Sequence, residues 1–476
     1  VPPGSSPTAL PFTPPEPAAA LAHLRSTELF GWGRTAPTAA DLRRPTSATE
    51  LRRSLPESNP RGLLARGLGR SYGDAAQNSG GRVIETIDVD AFTVHQAPPD
   101  SESVLVTAEA GVSIDRLLQS LVPQGLFVPV TPGTRYVTVG GAIAADIHGK
   151  NHHRKGSWCD HVESLRLQLA DGSVVEIGPS RDPELFWATA GGMGLTGVIL
   201  DATFRCPRIG SSRLLVDTDR APDLDSVVEL MATGDADYDY SVAWIDLMAT
   251  GAAMGRSVLT RGRFATAEEL GAAPGSDPFD YRAGVIASAP PFVPGGLLNK
   301  LTVRAFNELW FRKAPKERRD ELQTIPTFFH PLDMVGGWNR IYGPGGFLQW
   351  QFVIPFGTEA TLRRIIEELS AAGCTSFLAV LKAFGPSNPS PLSFPAPGWT
   401  LALDIPTGVP GLAPLLDRLD DMVVEAGGRI YLAKDSRVRA ELVPQMYPRL
   451  DEWRAVRERV DPQRRINSDL ARRLSL

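Results

Sequence analysis

Three glycine-rich runs, set apart by strand-like segments, limit what this chain can become. They are residues 65–74 (ARGLGRSYGD), 131–153 (TPGTRYVTVGGAIAADIHGKNHH) and 191–194 (GGMG). Glycine lacks a Cβ, so such runs let backbone N–H groups approach a ligand or another backbone closely. None fits a common phosphate loop. A Walker loop needs G-x-x-x-x-G-K-[ST], and a dinucleotide fold needs G-x-G-x-x-G between strand and helix. Gly67-Leu68-Gly69 begins the second pattern, but Tyr72 stands where its third glycine belongs. One run alone reads as a tight turn. Three in this order, with strands between, can surround a long ligand that a single loop would touch at one end.

The segments between the runs alternate as strands do. Residues 83–87 and 104–108 are expected strands, and Ser113 an N-cap for a helix reaching about Leu121, with Asp115 in its first turn. Residues 165–177 (LRLQLADGSVVEI) are expected to form a hairpin, because Asp171-Gly172 supplies the positive-φ turn between two alternating runs. Residues 182–200 predict a short helix, the third glycine run and a strand. After Pro207 the character changes. Residues 214–216, 241–246 and 347–354 predict strands of an antiparallel sheet, interleaved with helices such as 359–371.

Composition removes several functions. The 476 residues exceed one ordinary core, so more than one domain is expected. With 49 basic against 54 acidic residues the formal charge is −5, and the basic excess of a nucleic-acid binder is missing. No apolar run reaches the roughly 18 residues of a membrane-spanning helix. The opening VPPGSSPTALPFTPPEPAAA has no charged stretch followed by an apolar core, so a disordered leader over 1–24 is expected rather than a secretion signal. Cys159, Cys206 and Cys374 stand isolated and point to neither a zinc site nor a disulfide framework. His152-His153 would face opposite ways on a strand, with no third ligand near, so no metal is expected.

Taken in order, RGLGRSYGD, TPGTRYVTVGGAIAADIHGKNHH, DHVESLRLQLADGSVV and ELFWATAGGMGLTGVI resemble the FAD-dependent oxidoreductases of the vanillyl-alcohol-oxidase (PCMH-type) fold. The closing YPRLDEWRAVRERVDPQRRINSDLARRL resembles that family's last segment. The resemblance implies a two-lobed α+β fold. An FAD-binding lobe spans 25–207 and is rejoined by 426–476, and an antiparallel-sheet substrate lobe spans 208–425. It implies FAD contacts along Ala65, Arg66, Gly67, Leu68, Gly69, Arg70, Ser71, Tyr72, Gly73 and Asp74. Further contacts are implied at Gly133, Thr138, Val139, Gly140, Gly141, Ala145, Asp146, Ile147, His148, Ile199 and Tyr431. Many relatives carry a histidine, covalently bonded to the flavin, where this chain has Arg70. Arginine cannot form that bond, so non-covalent FAD is expected. His148 is expected to hydrogen-bond near the isoalloxazine, with a replacement tether as the alternative.

A narrower resemblance rests on GFLQWQFVIP, LKAFG, PSPLSFPAPGWTLALDIP and GGRIYLAKDSR, together with SYGD and IHGKNHH. These stretches resemble the branch of the family that oxidises the 2-hydroxyl of decaprenylphosphoryl-β-D-ribose, the first half of an epimerisation serving cell-wall arabinan. The branch implies a polyprenyl-phosphate sugar substrate and a partner NAD-dependent keto-reductase. It also implies a peripheral place at a membrane of the cell envelope, on its periplasmic or cytoplasmic face. Lys434 is expected to stabilise charge near flavin N1 or to polarise the substrate. Tyr72 and His148 are expected to relay a proton or touch the flavin. Gln349 and Gln351 share one strand face by the two-residue period, and with Lys382, Lys150 and Trp244 are expected at the sugar and phosphate. Some relatives hold a cysteine, trapped by nitroaromatic inhibitors, in a W-x-x-C-x-D stretch where this chain has Ala402.

A lipid-linked substrate asks how the body meets a bilayer. In residues 290–319, Val303, Phe306 and Trp310 recur at helical spacing with Arg304, Arg312, Lys313 and Lys316 nearby. This fits either an interfacial helix or an ordinary amphipathic helix capping the substrate lobe. Two other functions stay open. One is an alditol or aldonolactone oxidase using oxygen, against which Arg70 counts because those relatives commonly tether FAD. The other is a non-catalytic flavin-fold scaffold that binds lipid.

Overall fold

A computed structural model describes residues 26–54, 59–271, 277–374 and 376–476. The expected leader over 1–24 lies outside the described residues. The first half of the chain builds two sheets. A mixed four-stranded sheet runs Ser26–Leu29, Thr38–Arg43, Arg82–Glu85, Leu63–Arg66, and the last three strands are parallel. A five-stranded antiparallel sheet runs Phe92–Val94, Ser103–Glu109, Val198–Pro207, Val162–Gln168, Val174–Ile177. The expected hairpin is its last pair, with Leu165 opposite Ile177 and Gly172 at φ +91° in the turn. The expected cap is also present. Ser113 Oγ accepts the amide of Arg116, opening a helix Ile114–Leu121 whose Leu117, Leu118 and Leu121 are buried.

The second half centres on one eight-stranded antiparallel sheet. Its order is Glu317–Thr324, Arg213–Ala221, Ser257–Phe264, Tyr240–Ile245, Ala379–Phe384, Gly398–Pro406, Phe347–Ile354, Arg429–Ile430. Residues paired across strands share a face. One face therefore carries Trp350 and Phe352, opposite Leu403 and Leu401, which are opposite Ala379 and Leu381. All six are buried. Helices Glu359–Ala372 and Leu412–Glu425 bring Leu362, Ile365, Ile366 and Leu369, and Leu415, Leu416, Leu419 and Val423, into the same core. Both sets repeat every three or four residues, so each helix buries one stripe. Each such side chain contributes roughly 1.5–3 kcal/mol relative to exposure. Trp350 Nε1 donates to Asp420 of the second helix (2.9 Å), which fixes this as the helix side. The opposite face is left for something else.

The C-terminal segment returns to the beginning of the chain. Leu63 N donates to Arg465 O and Asn467 N to Leu63 O. Arg473 donates to both oxygens of Asp74 and to Asp435, so the last helix, Asp469–Leu474, clamps the end of the first glycine run.

Candidate active site

The first glycine run is a loop held from outside, with its own amides left over. Gly69 adopts φ +63°. Arg66 turns back and donates to Ala76 O (2.7 Å) and Phe30 O (2.9 Å). Ser71 O and Tyr72 O accept the amides of Trp32 and Gly33, and Tyr72 N donates to Ala433 O (3.1 Å). Gly67 lies so close to Thr138 Oγ1, and Gly73 to Asp435 O, that no Cβ would fit at either. Ala65 belongs to the strand below. Among the described residues, the amides of Gly67, Leu68, Gly69, Arg70 and Ser71 have no acceptor. Five consecutive N–H groups without partners are costly unless something anionic or carbonyl-bearing meets them. The Arg70 guanidinium carbon lies over the Trp32 ring (3.8 Å from its centroid), and its Nε is buried without a partner.

The other two runs behave differently from the expectation. Thr138 Oγ1 caps the helix Val139–Ala144 by accepting Gly141 N (3.2 Å), and Gly140 N donates to Ala110 O (2.9 Å). A Cβ on Gly140 would meet Ala110 Cβ at 2.9 Å. These two glycines serve close packing, and their amides are spent. Gly133 stands in open space. Val139 N donates to Val112 O, Ile147 N to Ala142 O, and both side chains are buried. Asp146 is buried and its carboxylate accepts from Ser157 Oγ, Cys159 N, Asn388 Nδ2 and Ser393 Oγ, so that side chain is a clasp between segments. In the third run Gly191 N donates to Ile143 O and Met193 N to Ala144 O. Those two bonds prop the helix Val139–Ala144. Ile199 is buried in the five-stranded sheet opposite Leu167.

His152 and His153 are not on a strand. They open a one-turn helix, His152–Lys155, ended by Gly156 at φ +70°. His152 Nδ1 accepts Gly385 N (3.1 Å). Among the described residues no cluster of three or more His, Cys, Asp or Glu could hold a metal ion.

The free face of the eight-stranded sheet carries the rest. By register, Gln351 sits beside Ala402, Ala402 beside Val380, and Val380 beside Trp244. Gln349 is beside Asp404, and Lys382 beside Thr400. The Trp244 N–H is taken by Phe377 O (3.0 Å), leaving only its ring to offer. Gln351 Nε2 donates to Thr400 Oγ1 (3.2 Å) and to His148 Nε2 (2.9 Å). His148 Nε2 must then hold the lone pair, so the ring proton is on Nδ1, which is buried with no partner. His148 also packs on Tyr431 (5.2 Å between centroids), and the Tyr431 hydroxyl donates to Ala145 O (2.8 Å). The sheet face and the loop after the Val139–Ala144 helix thereby meet.

Three lysines share this space. Each is largely surrounded by protein yet keeps part of its surface open. Lys150 Nζ donates to Phe328 O and lies over the Phe328 ring (4.2 Å). Lys434 Nζ lies 4.0 Å from the Tyr72 ring centroid. Burial, and for Lys150 the neighbouring Lys382, lowers Lys150 to about 7, and burial lowers Lys382 to about 8. Lys434 falls to about 7 by burial, against the opposing pull of Asp404. Burial first, then the neighbouring Lys382, pushes His148 well below the ordinary imidazole range and holds it neutral. Burial first, then Asp404, holds the Tyr72 phenol protonated, so it can pass a proton but not store its charge.

Asp404 escaped the sequence reading. It is fully buried, accepts from Gln349 Nε2 (2.6 Å) and the Tyr342 hydroxyl (3.2 Å), and burial raises it to about 7. The alternation Thr400, Ala402, Asp404 was the signal available, since it puts the carboxylate on the face of Gln349 and Gln351.

The residues fit a flavin dinucleotide: unpartnered amides at 67–71 for its diphosphate, and an orphan imidazole N–H with buried lysines nearby for its ring. Comparison with known proteins supports FAD as the cofactor. A family model described as FAD binding domain matches residues 40–178. One described as D-arabinono-1,4-lactone oxidase matches 408–474. A decaprenylphosphoryl-beta-D-ribose oxidase of Mycolicibacterium smegmatis is 46% identical over 454 residues, 94% of this chain and 97% of that protein. An uncharacterized Streptomyces coelicolor protein is 40% identical over 374 residues, 77% of this chain and all of that one. The L-gulonolactone oxidase of Mus musculus is 28% identical over 190 residues, covering 38% and 41% of the two chains. The chain is an FAD-dependent oxidoreductase with the α+β PCMH-type fold, and it belongs to the decaprenylphosphoryl-β-D-ribose oxidase family.

Proposed function

We propose that this protein oxidises the 2-hydroxyl of decaprenylphosphoryl-β-D-ribose to the 2-keto sugar, with FAD held non-covalently. Bound FAD supplies the ring that accepts hydride. The amides of 67–71 bind the diphosphate, and Arg70, stacked on Trp32, supports the loop without tethering it. His148 donates Nδ1–H toward the flavin edge. Gln349, Gln351, Lys150, Lys382 and the Trp244 ring hold the sugar phosphate. Lys434, above Tyr72, acts at the reacting hydroxyl. The observation that carries the reading is the gathering of Lys150, Lys382 and Lys434 about the free face of the sheet, where an anionic substrate would offset charges that burial leaves unfavourable.

The polyprenyl tail needs a bilayer. The helix Lys300–Lys313 buries Val303 and Asn307 but leaves Leu301, Phe306, Leu309 and Trp310 exposed, with Ile286 and Phe292 exposed in the preceding segment. Basic Arg312 and Lys313 close its last turn. This apolar surface, rimmed by cations, supports the interfacial reading over that of a capping helix. Among the described residues no helix is long and apolar enough to cross a membrane. The 2-keto product calls for a separate NAD-dependent reductase to complete the epimerisation. The test is product analysis. FAD-loaded protein given decaprenylphosphoryl ribose and a dye acceptor should yield a sugar two mass units lighter, oxidised at carbon 2. Unchanged substrate would refute the assignment.

A further inference from the structure

The two glutamines on the free face of the sheet are both held by their amide nitrogens. Gln349 lies opposite Asp404 across the strand pair, and its Nε2 donates to Asp404 Oδ1 (2.6 Å). The other oxygen of that fully buried carboxyl, Oδ2, accepts the Tyr342 hydroxyl (3.2 Å). Tyr342 is itself fixed, stacked on Phe347 with 4.0 Å between ring centroids and 11° between planes. A proton on the carboxyl would sit on Oδ2 and turn toward the tyrosine oxygen, so Oδ1 accepts in either state. The group facing Oδ1 is therefore the NH₂ end of Gln349. Gln351 spends its N–H groups on Thr400 Oγ1 (3.2 Å) and His148 Nε2 (2.9 Å). Among the described residues no hydrogen-bond donor meets Oε1 of either glutamine.

An amide whose nitrogen is committed in this way has only its carbonyl oxygen to offer, and that oxygen can only accept. Residues two apart on a strand are spaced by about 7 Å, so the two acceptors stand side by side on one face. An ionised phosphodiester has no proton to give them, whereas a sugar hydroxyl has. We propose that Gln349 and Gln351 recognise hydroxyl donors of the pentose through their carbonyl oxygens, and that Asp404, held by Tyr342, is the positioning residue that sets the direction of Gln349. The proposal rests on the oxidase reading above. The phosphate, an acceptor only, is left to Lys150 and Lys382. A site built this way selects its sugar strongly, because an analogue lacking the hydroxyl leaves the acceptor unpaired.

The test reverses the bond. Gln349→Glu combined with Asp404→Asn exchanges the two side-chain types and conserves net charge and atom count. The new amide at 404 donates to the new carboxylate at 349 and accepts from Tyr342, while the second carboxylate oxygen still offers an acceptor to the sugar. The assay uses FAD-loaded protein, a dye acceptor, decaprenylphosphoryl ribose and its 3-deoxy and 5-deoxy analogues. In the unaltered protein at least one analogue should show a KM about tenfold higher or more. The exchange variant should keep both that penalty and, within about threefold, the KM for the ribose. Gln349→Glu alone sets two carboxyl groups face to face and should raise KM about tenfold or more. In Asp404→Leu the amide at 349 turns freely, and the penalty for the missing hydroxyl should shrink to about threefold or less. An exchange variant that binds FAD yet shows the raised KM of the single variant would overturn the proposal, because a carboxylate cannot stand in for an N–H donor. So would an exchange variant that cannot load FAD, since both hydrogen bonds are preserved in it, or an undiminished penalty in Asp404→Leu. The exchange decides the matter even where a single variant fails to fold. Failure of the oxidase reading looks different: the unaltered protein leaves the lipid sugar unoxidised.

Discussion

The hydroxyl of Thr138 occupies the space beside Gly67 where a side chain would begin, so the amide loop 65–74 and the capped helix Val139–Ala144 are in direct contact. Gly67→Ala cannot be absorbed by a flexible tip, because Thr138 is itself tied to Gly141 N. Overpacking of this kind costs about 1–3 kcal/mol. If the loop carries it, FAD affinity should fall by about 5- to 150-fold. Fluorescence titration of apoprotein with FAD checks this, and unchanged affinity would place the diphosphate elsewhere.

Arg70 stacks on Trp32 and offers no nucleophile. Acid precipitation should leave the yellow flavin in the supernatant. A flavin that stays with the pellet would mean a covalent link at another residue, with His148 the first to examine.

The buried lysines make stability depend on pH in a definite direction. Lys150 titrates at about 7 in the folded protein against 10.5 ordinarily, so between those values the unfolded chain binds more protons than the folded one. Stability from this group therefore rises with pH across that window and is lowest below it. Lys150→Met should flatten the rise in Tm from pH 7 to 9 and weaken binding of the lipid sugar. A steeper rise in the variant would contradict the placement.

Ala402 sits between Gln351 and Val380 on the open sheet face. Ala402→Cys adds one thiol there at little steric cost. Nitroaromatic inhibitors that act reversibly on the unaltered protein should then inhibit progressively, with a matching adduct on the peptide containing residue 402. The absence of an adduct would mean the face is not open to the ligand.

The exposed apolar surface of the helix Lys300–Lys313 gives a separate expectation. Leu301→Glu with Leu309→Glu should reduce cosedimentation with anionic vesicles while leaving turnover of a short-chain, water-soluble analogue intact. Equal loss of both would indicate a folding defect rather than a docking surface.

What the sequence revealed depended on how local each feature is. The hairpin at Asp171-Gly172 and the cap at Ser113 are settled within a few residues, and both were legible. The loop 65–74 was legible for the same reason, since its glycines and its lack of a helix can be read in ten residues. The use of an amide was not. Gly140 and Gly191 carry the same signal as Gly69, but Ala110 and Ile143, distant in sequence, consume their N–H groups. His152-His153 looked like part of a strand because nothing nearby announces a single helical turn before Gly156. Asp404 was missed because its meaning arises only when Gln349 and Tyr342 converge on it from two other segments.

The most direct measurement is anaerobic rapid mixing of the FAD-loaded protein with polyprenylphosphoryl ribose, following the oxidised flavin absorbance. The account predicts bleaching that saturates with substrate, slows roughly 10²–10⁴-fold in Lys434→Met and quickens toward alkaline pH through about 7. A flavin that binds normally yet stays fully oxidised with authentic substrate would contradict it.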